Sequence, residues 1–328
     1  IPSYLDSDGL ANYFPPREGD ANHGSDVLTA YILAATHEAA SLDPAYALPD
    51  SVRAPMERGL IAFVEGRVAR EYWSPRKDLD ARKLGAIEAL SRYGMAKPAL
   101  LQSITLAPNQ WPTNAVIDWL NILRRVKGIP KQAELLAEAG QVLKSRLSYQ
   151  GTKLIFSTER DDYWWWLMAN GDVNTARLML AVMDDPAWKD DMGRLANGFI
   201  QRQQGGAWHT TTANLWGGLA LERFSRVFEA TPVAGSTQAK LGGASATVDW
   251  AKVERIKADD AKLGSTGLTH QGTWFGAPAS PGNLRNNSMF LPWPDMGKSA
   301  EKDVLSVTHQ GAGKPWLTLQ SVAAIALK

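Results

Sequence analysis

Cysteine is absent from the 328-residue chain, which excludes disulfides, thiolate metal sites and thiol nucleophiles. Histidine is scarce, and its five copies show no spacing that would place two metal-ligating side chains on one helix face. An excess of charge is also missing, because 35 Lys and Arg balance 34 Asp and Glu. Nucleic-acid surfaces need a concentrated positive field, so we expect no nucleic-acid partner. From the missing cysteines and the histidine spacing we expect no bound metal, and no motif predicts a cofactor.

Long apolar runs are lacking as well. No stretch approaches the roughly 18 residues that a membrane helix requires, so we expect no membrane insertion. The chain begins at Ile1 rather than at a methionine, and no signal sequence stands at its start. We therefore expect it to begin inside a longer polypeptide.

Residues 24–230 have apolar side chains at helical spacing. Ser25 is a suitable N-cap for the first helix, and Pro49 and Asp50 open the second. Asp78 starts the third helix, with Leu79 on its apolar face, and Gly94 closes it. Further helices are predicted after Thr113 and over residues 131–147, 162–169, 172–183, 188–202 and 212–228. The short loops between them favour antiparallel neighbours.

An internal repeat supports stacked helical hairpins. Residues 86–92 (AIEALSR) are similar to residues 220–226 (ALERFSR), and Trp73 and Trp208 precede these segments at similar distances. Hairpins of this kind bury their apolar faces in an open solenoid or in a closed α/α toroid. Gly205 and Gly206, directly before Trp208, favour the toroid because they allow close backbone approach.

The pattern changes after Pro232, where the chain becomes rich in Gly, Ser and Thr. Alternating residues predict strands over 244–250, 268–274, 288–291 and 304–308. Residues 304–309 and 315–327, joined by a turn at 311–314, form the clearest predicted hairpin. We place the domain boundary near residue 231. The fold class is therefore mainly α, with an α/α toroid over 1–231 and a smaller β-rich segment over 232–328.

The acidic cluster of residues 159–162 (ERDD), beside Trp164, is the most enzyme-like feature. Glycoside hydrolases with an α/α toroid place paired carboxylates and tryptophans at the toroid mouth. The preferred interpretation is that Asp161 or Asp162 caps the helix that follows, where the N-terminal dipole favours a carboxylate. A carbohydrate-active toroid remains the alternative, and activity lost in Asp162→Asn would support it.

None of the five histidines is assigned a catalytic role. His37, in the first helix, is expected at the surface or as a capping group, and His209 is expected to order a turn. His23, His270 and His309 carry no signal of their own. No catalytic, cofactor-binding or metal-binding residue is therefore predicted.

Several segments resemble the thioester-domain region of bacterial α2-macroglobulins. These are residues 4–14 (YLDSDGLANYF), 24–31 (GSDVLTAY), 204–208 (QGGAW), 291–295 (LPWPD) and 309–316 (HQGAGKPW). The order of the motifs matches the family, and 309–316 is the most specific of them.

The resemblance implies the later part of an α/α toroid followed by CUB-like strands. It also implies a non-enzymatic, structural part of a periplasmic protease inhibitor that traps target proteases, with possible partners in peptidoglycan synthesis. In the family a Cys–Gln thioester couples to the protease, but a chain without cysteine cannot hold that motif. The histidine that takes over the acyl group in some relatives is absent from residues 71–80.

Tryptophans are expected to be architectural in this scheme. The candidates at helix ends are Trp73, Trp164, Trp165, Trp208 and Trp216, and those in the β-rich part are Trp293 and Trp316. A third hypothesis is a passive helical scaffold that binds a protein partner on its concave surface. A scaffold would be monomeric and complete alone, whereas a trap fragment would expose a surface that is normally buried.

Overall fold

A computed structural model of the chain describes residues 2–17, 23–71, 74, 76–157, 164–255, 284–285, 289–292, 304–317 and 319. It divides into two compact units, Ile1–Ala220 and Leu221–Lys328. The fold is mainly α, with a small amount of sheet, as the sequence predicts. No helix in the described ranges combines the length and the hydropathy of a membrane span.

Eight α-helices follow the predicted periodicity closely. Ser25 caps the first, because its Oγ accepts a hydrogen bond from the Leu28 amide at 3.1 Å. Gly94 follows the third helix with φ +71°, a left-handed conformation that suits glycine. Leu79, expected on the apolar face, is 51% exposed in the first turn. The helices are α1 (Asp26–Leu42), α2 (Asp50–Val64), α3 (Leu79–Arg92), α4 (Thr113–Arg125), α5 (Gln132–Ser145), α6 (Gly171–Val182), α7 (Lys189–Ile200) and α8 (Thr211–Phe228).

Four helices of the first unit and the beginning of α8 form an inner ring. Helix α1 packs against α3, α3 against α4, and α4 against α6. Trp216 of α8 completes the ring, because its ring meets Tyr31 of α1 edge-on with centroids 6.3 Å apart. The guanidinium of Arg177, on α6, lies 5.3 Å from the Trp216 ring centroid on the other side of the gap. Helices α2, α5 and α7 pack on the inner helices as a second layer.

One predicted helix ends earlier than expected, and another is absent from its described part. Helix α5 ends at Ser145, and a hairpin of β1 (Leu147–Gln150) and β2 (Lys153–Phe156) follows, turning at Gly151 with φ +61°. The predicted helix over 162–169 is wrong in its described part, which holds a 3-10 turn, Trp165–Leu167, flanked by a bridge between Trp164 and Ala169. Consecutive indoles lose side-chain freedom in a helix, and Met168 ends the turn with φ +54°.

The second unit contains a three-stranded antiparallel sheet in the order β4, β3, β7. Its strands are β3 (Ser236–Leu241), β4 (Ala244–Asp249) and β7 (Ser306–Gln310), and a separate pair joins β5 (Glu254–Arg255) to β6 (Leu284–Arg285). The predicted hairpin of 304–309 with 315–327 is wrong where it can be compared, because β7 pairs with β3 and residues 315–317 form no strand. Thr237 and Ala239 are buried and form the inward face of β3.

Other predictions for this part fall partly or wholly outside the described residues. The strand over 268–274 lies outside them, and residues 289–291 of the predicted strand 288–291 are not in a strand. Helix α8 ends at Phe228 and β3 begins at Ser236. Along the chain, the first compact unit ends at Ala220 and the second begins at Leu221. The boundary near 231 and the CUB-like assignment stay predictions.

Candidate functional site

A cavity of about 70 Å³ lies inside the ring of the first unit and is lined by α1, α3, α4, α6 and α8. Small apolar side chains such as Ala30, Ala34 and Val173 form part of its wall, and Trp216 forms another part. Charged and amide side chains form the rest: Glu88, Asn114, Asp118 and Arg177. The helical ring thus encloses polar chemistry rather than a purely apolar core.

Glu88 is the most heavily paired residue of the cavity. Its carboxylate lies 2.8 Å from Nη2 of Arg92, one turn further along α3, and 2.8 Å from Nη1 of Arg125 on α4. Arg177 Nη2, on α6, lies 3.7 Å from it, and Asn121 Nδ2 donates a hydrogen bond at 3.3 Å. A buried carboxylate needs such compensation, and Glu88 is only 1% exposed. Its contacts tie three helices together.

Arg92 extends this ion cluster to α1. Its Nη1 lies 2.7 Å from Oε2 of Glu38, and its guanidinium lies 5.8 Å from the Trp216 ring centroid. The indole therefore faces two cations, Arg92 and Arg177, in a water-poor setting where cation–π attraction is strong. We call the six residues Glu38, Glu88, Arg92, Asp118, Arg125 and Arg177 the ring cluster.

Asp118 has the unusual ionisation within the ring cluster. Its Oδ1 accepts a hydrogen bond from Nη2 of Arg177 at 2.5 Å. Burial raises the pKa of Asp118 to about 6; Arg177 opposes this rise, and the nearby charge of Glu88 adds to it. Burial alone would also raise the pKa of Glu88, but the arginines, Arg92 foremost, lower it well below its ordinary value. The pKa values of two carboxyl groups in one cavity are therefore shifted in opposite directions.

The arrangement is suited to holding helices rather than to acid–base catalysis. Glu88 is held ionised by arginines, and Asp118 is bonded to Arg177, so each cavity carboxylate already has a cationic partner. The described residues contain no group of three or more His, Asp and Glu placed to share a metal ion. The geometry thus supports ion pairing across the ring as the main role of these charges.

Two polar atoms of the cavity wall take no part in these ion pairs. Asn114 Oδ1 and Arg177 Nε are both buried, and neither has a hydrogen-bond partner among the described residues. Asn114 as a whole is 5% exposed and lies one turn before Asp118 on the same face of α4. A buried acceptor and a buried donor are thus both available at one cavity.

A second polar arrangement joins the two N-terminal motifs, residues 4–14 and 24–31. Asp6 Oδ1 accepts from the Leu10 amide at 2.9 Å, and its Oδ2 accepts from the Gly24 amide at 3.0 Å and from Arg70 Nη2 at 2.8 Å. A Cβ on Gly24 would lie 2.4 Å from the carbonyl oxygen of Leu10, so glycine is required there. These motif residues therefore serve packing.

The four histidines within the described residues lie on different elements of the chain. His37 is partly buried and meets Tyr93 edge-on with centroids 5.0 Å apart, so its expected surface or capping role is wrong; burial lowers its pKa. His209 is exposed. His309 Nδ1 lies 2.9 Å from Thr237 Oγ1, which also accepts from Trp250 Nε1, so this histidine fastens β7 to β3. His270 and the acidic cluster 159–162 lie outside the described residues.

The tryptophans divide into buried and exposed groups. Trp208 is 5% exposed, stacks on Phe199 with centroids 4.2 Å apart, and donates from Nε1 to the Phe199 carbonyl at 3.0 Å. Trp164 and Trp216 are also buried. Trp165, expected as an architectural residue at a helix end, is 56% exposed, and Trp316 is 38% exposed. Trp73 and Trp293 lie outside the described residues.

One sequence signal for the ring cluster lies in the repeated segment 86–92. Glu88 and Arg92 lie within the repeated segment 86–92, four positions apart on one helix face. The second copy of the segment has Glu222 and Arg226 at the same spacing, and this pair is about half exposed. A charged pair that flanks an apolar residue such as Leu90, which is fully buried, is a signal for an internal ion pair.

A helical ring with an internal ion cluster and a small antiparallel sheet is what the structure defines. Chains of similar shape include Escherichia coli α2-macroglobulin activated by porcine elastase, with 16% identity and a TM-score of 0.48 over 75% of this chain and 20% of that one. The native conformation of the E. coli protein has 15% identity and a TM-score of 0.48 over 75% of this chain and 14% of that one. A mutant Salmonella α2-macroglobulin has 16% identity and a TM-score of 0.47 over 76% of this chain and 16% of that one. The chain thus spans a fifth or less of these proteins. No family model and no curated protein sequence matches it. This likeness does not establish family membership.

Proposed function

We propose that this chain is a structural, non-catalytic part of a protease-trapping protein of the bacterial α2-macroglobulin type, acting in the periplasm. The ordered motifs of the sequence motivate the proposal. The observation that carries it is the ring cluster, in which Glu88 binds arginines from its own helix and from α4. Such a cluster resists rearrangement within the ring, which suits a body that must move as one piece when the rest of the protein responds to cleavage.

A trap of this kind encloses proteases rather than blocking their active sites. Target proteases would then be the partners, and proteins of peptidoglycan synthesis would be further candidates. This chain would contribute no reacting group, because it has no thiol for a thioester. Any covalent step would fall to other parts of the polypeptide.

The test uses the natural polypeptide that contains this chain, mixed with a protease of broad specificity. A trapped protease should lose activity on a large protein substrate while keeping it on a small chromogenic peptide. Equal loss on both substrates would indicate ordinary active-site inhibition, and no loss on either would sink the proposal. Cell fractionation of the same protein tests the periplasmic assignment, which recovery in the cytoplasmic fraction would refute.

A carbohydrate-active enzyme is the second candidate, and the acidic cluster 159–162 beside Trp164 in the sequence favours it. Hydrolysis of oligosaccharides by the purified chain, abolished in Asp162→Asn, would support this function. The passive scaffold would instead be recognised by a monomeric chain that binds a protein without any response to proteolysis.

A further inference from the structure

The cavity inside the ring has an unused hydrogen-bonding pair that the structural role does not explain. Asn114 Oδ1 is an acceptor and Arg177 Nε is a donor, and both are buried without a partner among the described residues. Leaving such groups unsatisfied destabilises a fold. A bound molecule that offers one donor and one acceptor would satisfy both atoms.

The charges around the cavity limit the kind of molecule. Arg82 is held by Asp26 at 2.7 Å, Glu88 by Arg92 and Arg125, and Asp118 by Arg177. The ring cluster has three acidic and three basic members, so it is balanced when all are ionised. A charged guest would upset this balance in a poorly solvated place, whereas a neutral polar guest would not.

The apolar part of the wall limits the guest further. Ala30, Ala34 and Val173 line the cavity together with the ring of Trp216. A short alkyl group can pack there, next to the polar side formed by α4 and α6. The volume of about 70 Å³ admits only a few non-hydrogen atoms.

We propose that the cavity inside the helical ring binds a small, neutral primary amide, with Asn114 and Arg177 as its hydrogen-bonding residues. The amide oxygen accepts from Arg177 Nε, the amide nitrogen donates to Asn114 Oδ1, and the alkyl group faces the alanines. A primary amide has both functions on one planar group, which matches a donor and an acceptor on neighbouring helices. This site is independent of the protease-trap proposal.

The test is a titration of the purified chain with acetamide and propionamide, followed by protein-observed NMR. Acetate and methylammonium serve as charged probes of nearly the same size. We expect the amides to bind with a Kd on the order of millimolar, given so few atoms, and the ions to bind at least tenfold more weakly. Absence of amide binding, or equal binding of the ions, overturns the proposal.

Two variants locate the site without relying on a destabilised protein. Asn114→Leu keeps the volume and removes the acceptor, and the Kd for acetamide should rise about fivefold, the usual effect of one hydrogen bond. Gly85→Ala adds a methyl group to the cavity wall, 3.6 Å from Asp118 Oδ2, and should abolish propionamide binding. Asn197→Leu, on α7 of the second layer and outside the cavity lining, is the matched control and should bind as the wild type does. Unchanged amide affinity in both cavity variants would refute the site.

Discussion

Arg177 Nη2 lies 2.5 Å from Asp118 Oδ1 and joins α6 to α4 inside the helical ring. The same guanidinium lies 3.7 Å from Glu88 on α3 and 5.3 Å from the ring centroid of Trp216 on α8. One side chain thus contacts three other helices. The energetic consequences of this ring cluster can be measured residue by residue.

Replacing Glu88 by glutamine should destabilise the fold by about 3–5 kcal/mol, because buried arginines would lose their counter-charge. Urea unfolding at pH 7 measures the change. The matched control is Glu222→Gln, in the second copy of the repeat, whose pair with Arg226 is about half exposed. That change should be below about 0.5 kcal/mol. Similar values for the two variants would mean that the ring cluster is not a central support.

The raised pKa of Asp118 predicts a specific pH dependence. The folded state holds a proton on this carboxyl up to about pH 6, whereas the unfolded chain releases it near 3.8. The folded state therefore binds more protons between these values, and the contribution of Asp118 to stability falls as pH rises from about 4 to 6. The lowered pKa of Glu88 has the opposite effect, because the contribution of Glu88 to stability is lost as pH falls below about 4.5.

Asp118→Asn isolates the first effect. As pH rises from 4 to 6.5, the unfolding free energy of the wild type should fall by about 1–3 kcal/mol relative to that of the variant. Urea titrations at several pH values measure it. A difference that is constant with pH would contradict the assigned ionisation of Asp118.

Trp208 should be a core residue and Trp165 should not. Trp208→Ala removes the stack on Phe199 and the hydrogen bond to its carbonyl, and should destabilise by about 3–5 kcal/mol. Trp165→Ala, at a side chain that is 56% exposed, should change stability by less than about 1 kcal/mol. Thermal or urea unfolding of both variants decides the matter, and a change under 1 kcal/mol in Trp208→Ala would remove it from the core.

Two helix glycines should respond in opposite directions to alanine. A Cβ on Gly85 would meet only Asp118 Oδ2, at 3.6 Å, so Gly85→Ala should stabilise α3 by about 0.5–1 kcal/mol. A Cβ on Gly59 would lie 2.6 Å from the Asp8 carbonyl oxygen, so Gly59→Ala should force α2 and the N-terminal segment apart and destabilise. The midpoints of urea unfolding of the two variants should move to opposite sides of the wild type.

The helices were predictable from sequence because local signals set them. Ser25 provides a cap and Gly94 a C-terminal stop, and each acts on residues a few positions away. Leu147 was misassigned because the hairpin at Gly151 packs on α7, which is distant in sequence: a Cβ on Gly198 would lie 2.6 Å from the Leu154 carbonyl oxygen.

The site could not be predicted in the same way. Arg125 is 37 positions from Glu88, and Arg177 is 59 positions from Asp118, so nothing local connects them. A helix with an acidic residue on its face is ordinarily a solvated helix, and only the closed ring turns that face inward. The pairing of β7 with β3, across about 70 residues, was missed for the same reason.

The ring cluster also determines what happens to an incomplete chain. A nascent chain that ends before α6 already has Asp118, but the guanidinium of Arg177 that neutralises it has not yet been made. Glu88 would hold Arg92 and Arg125 while the gap between α4 and α1 stayed open to water. Truncated or internally deleted products should therefore remain susceptible to degradation, and the helical unit should appear in the cell either whole or not at all.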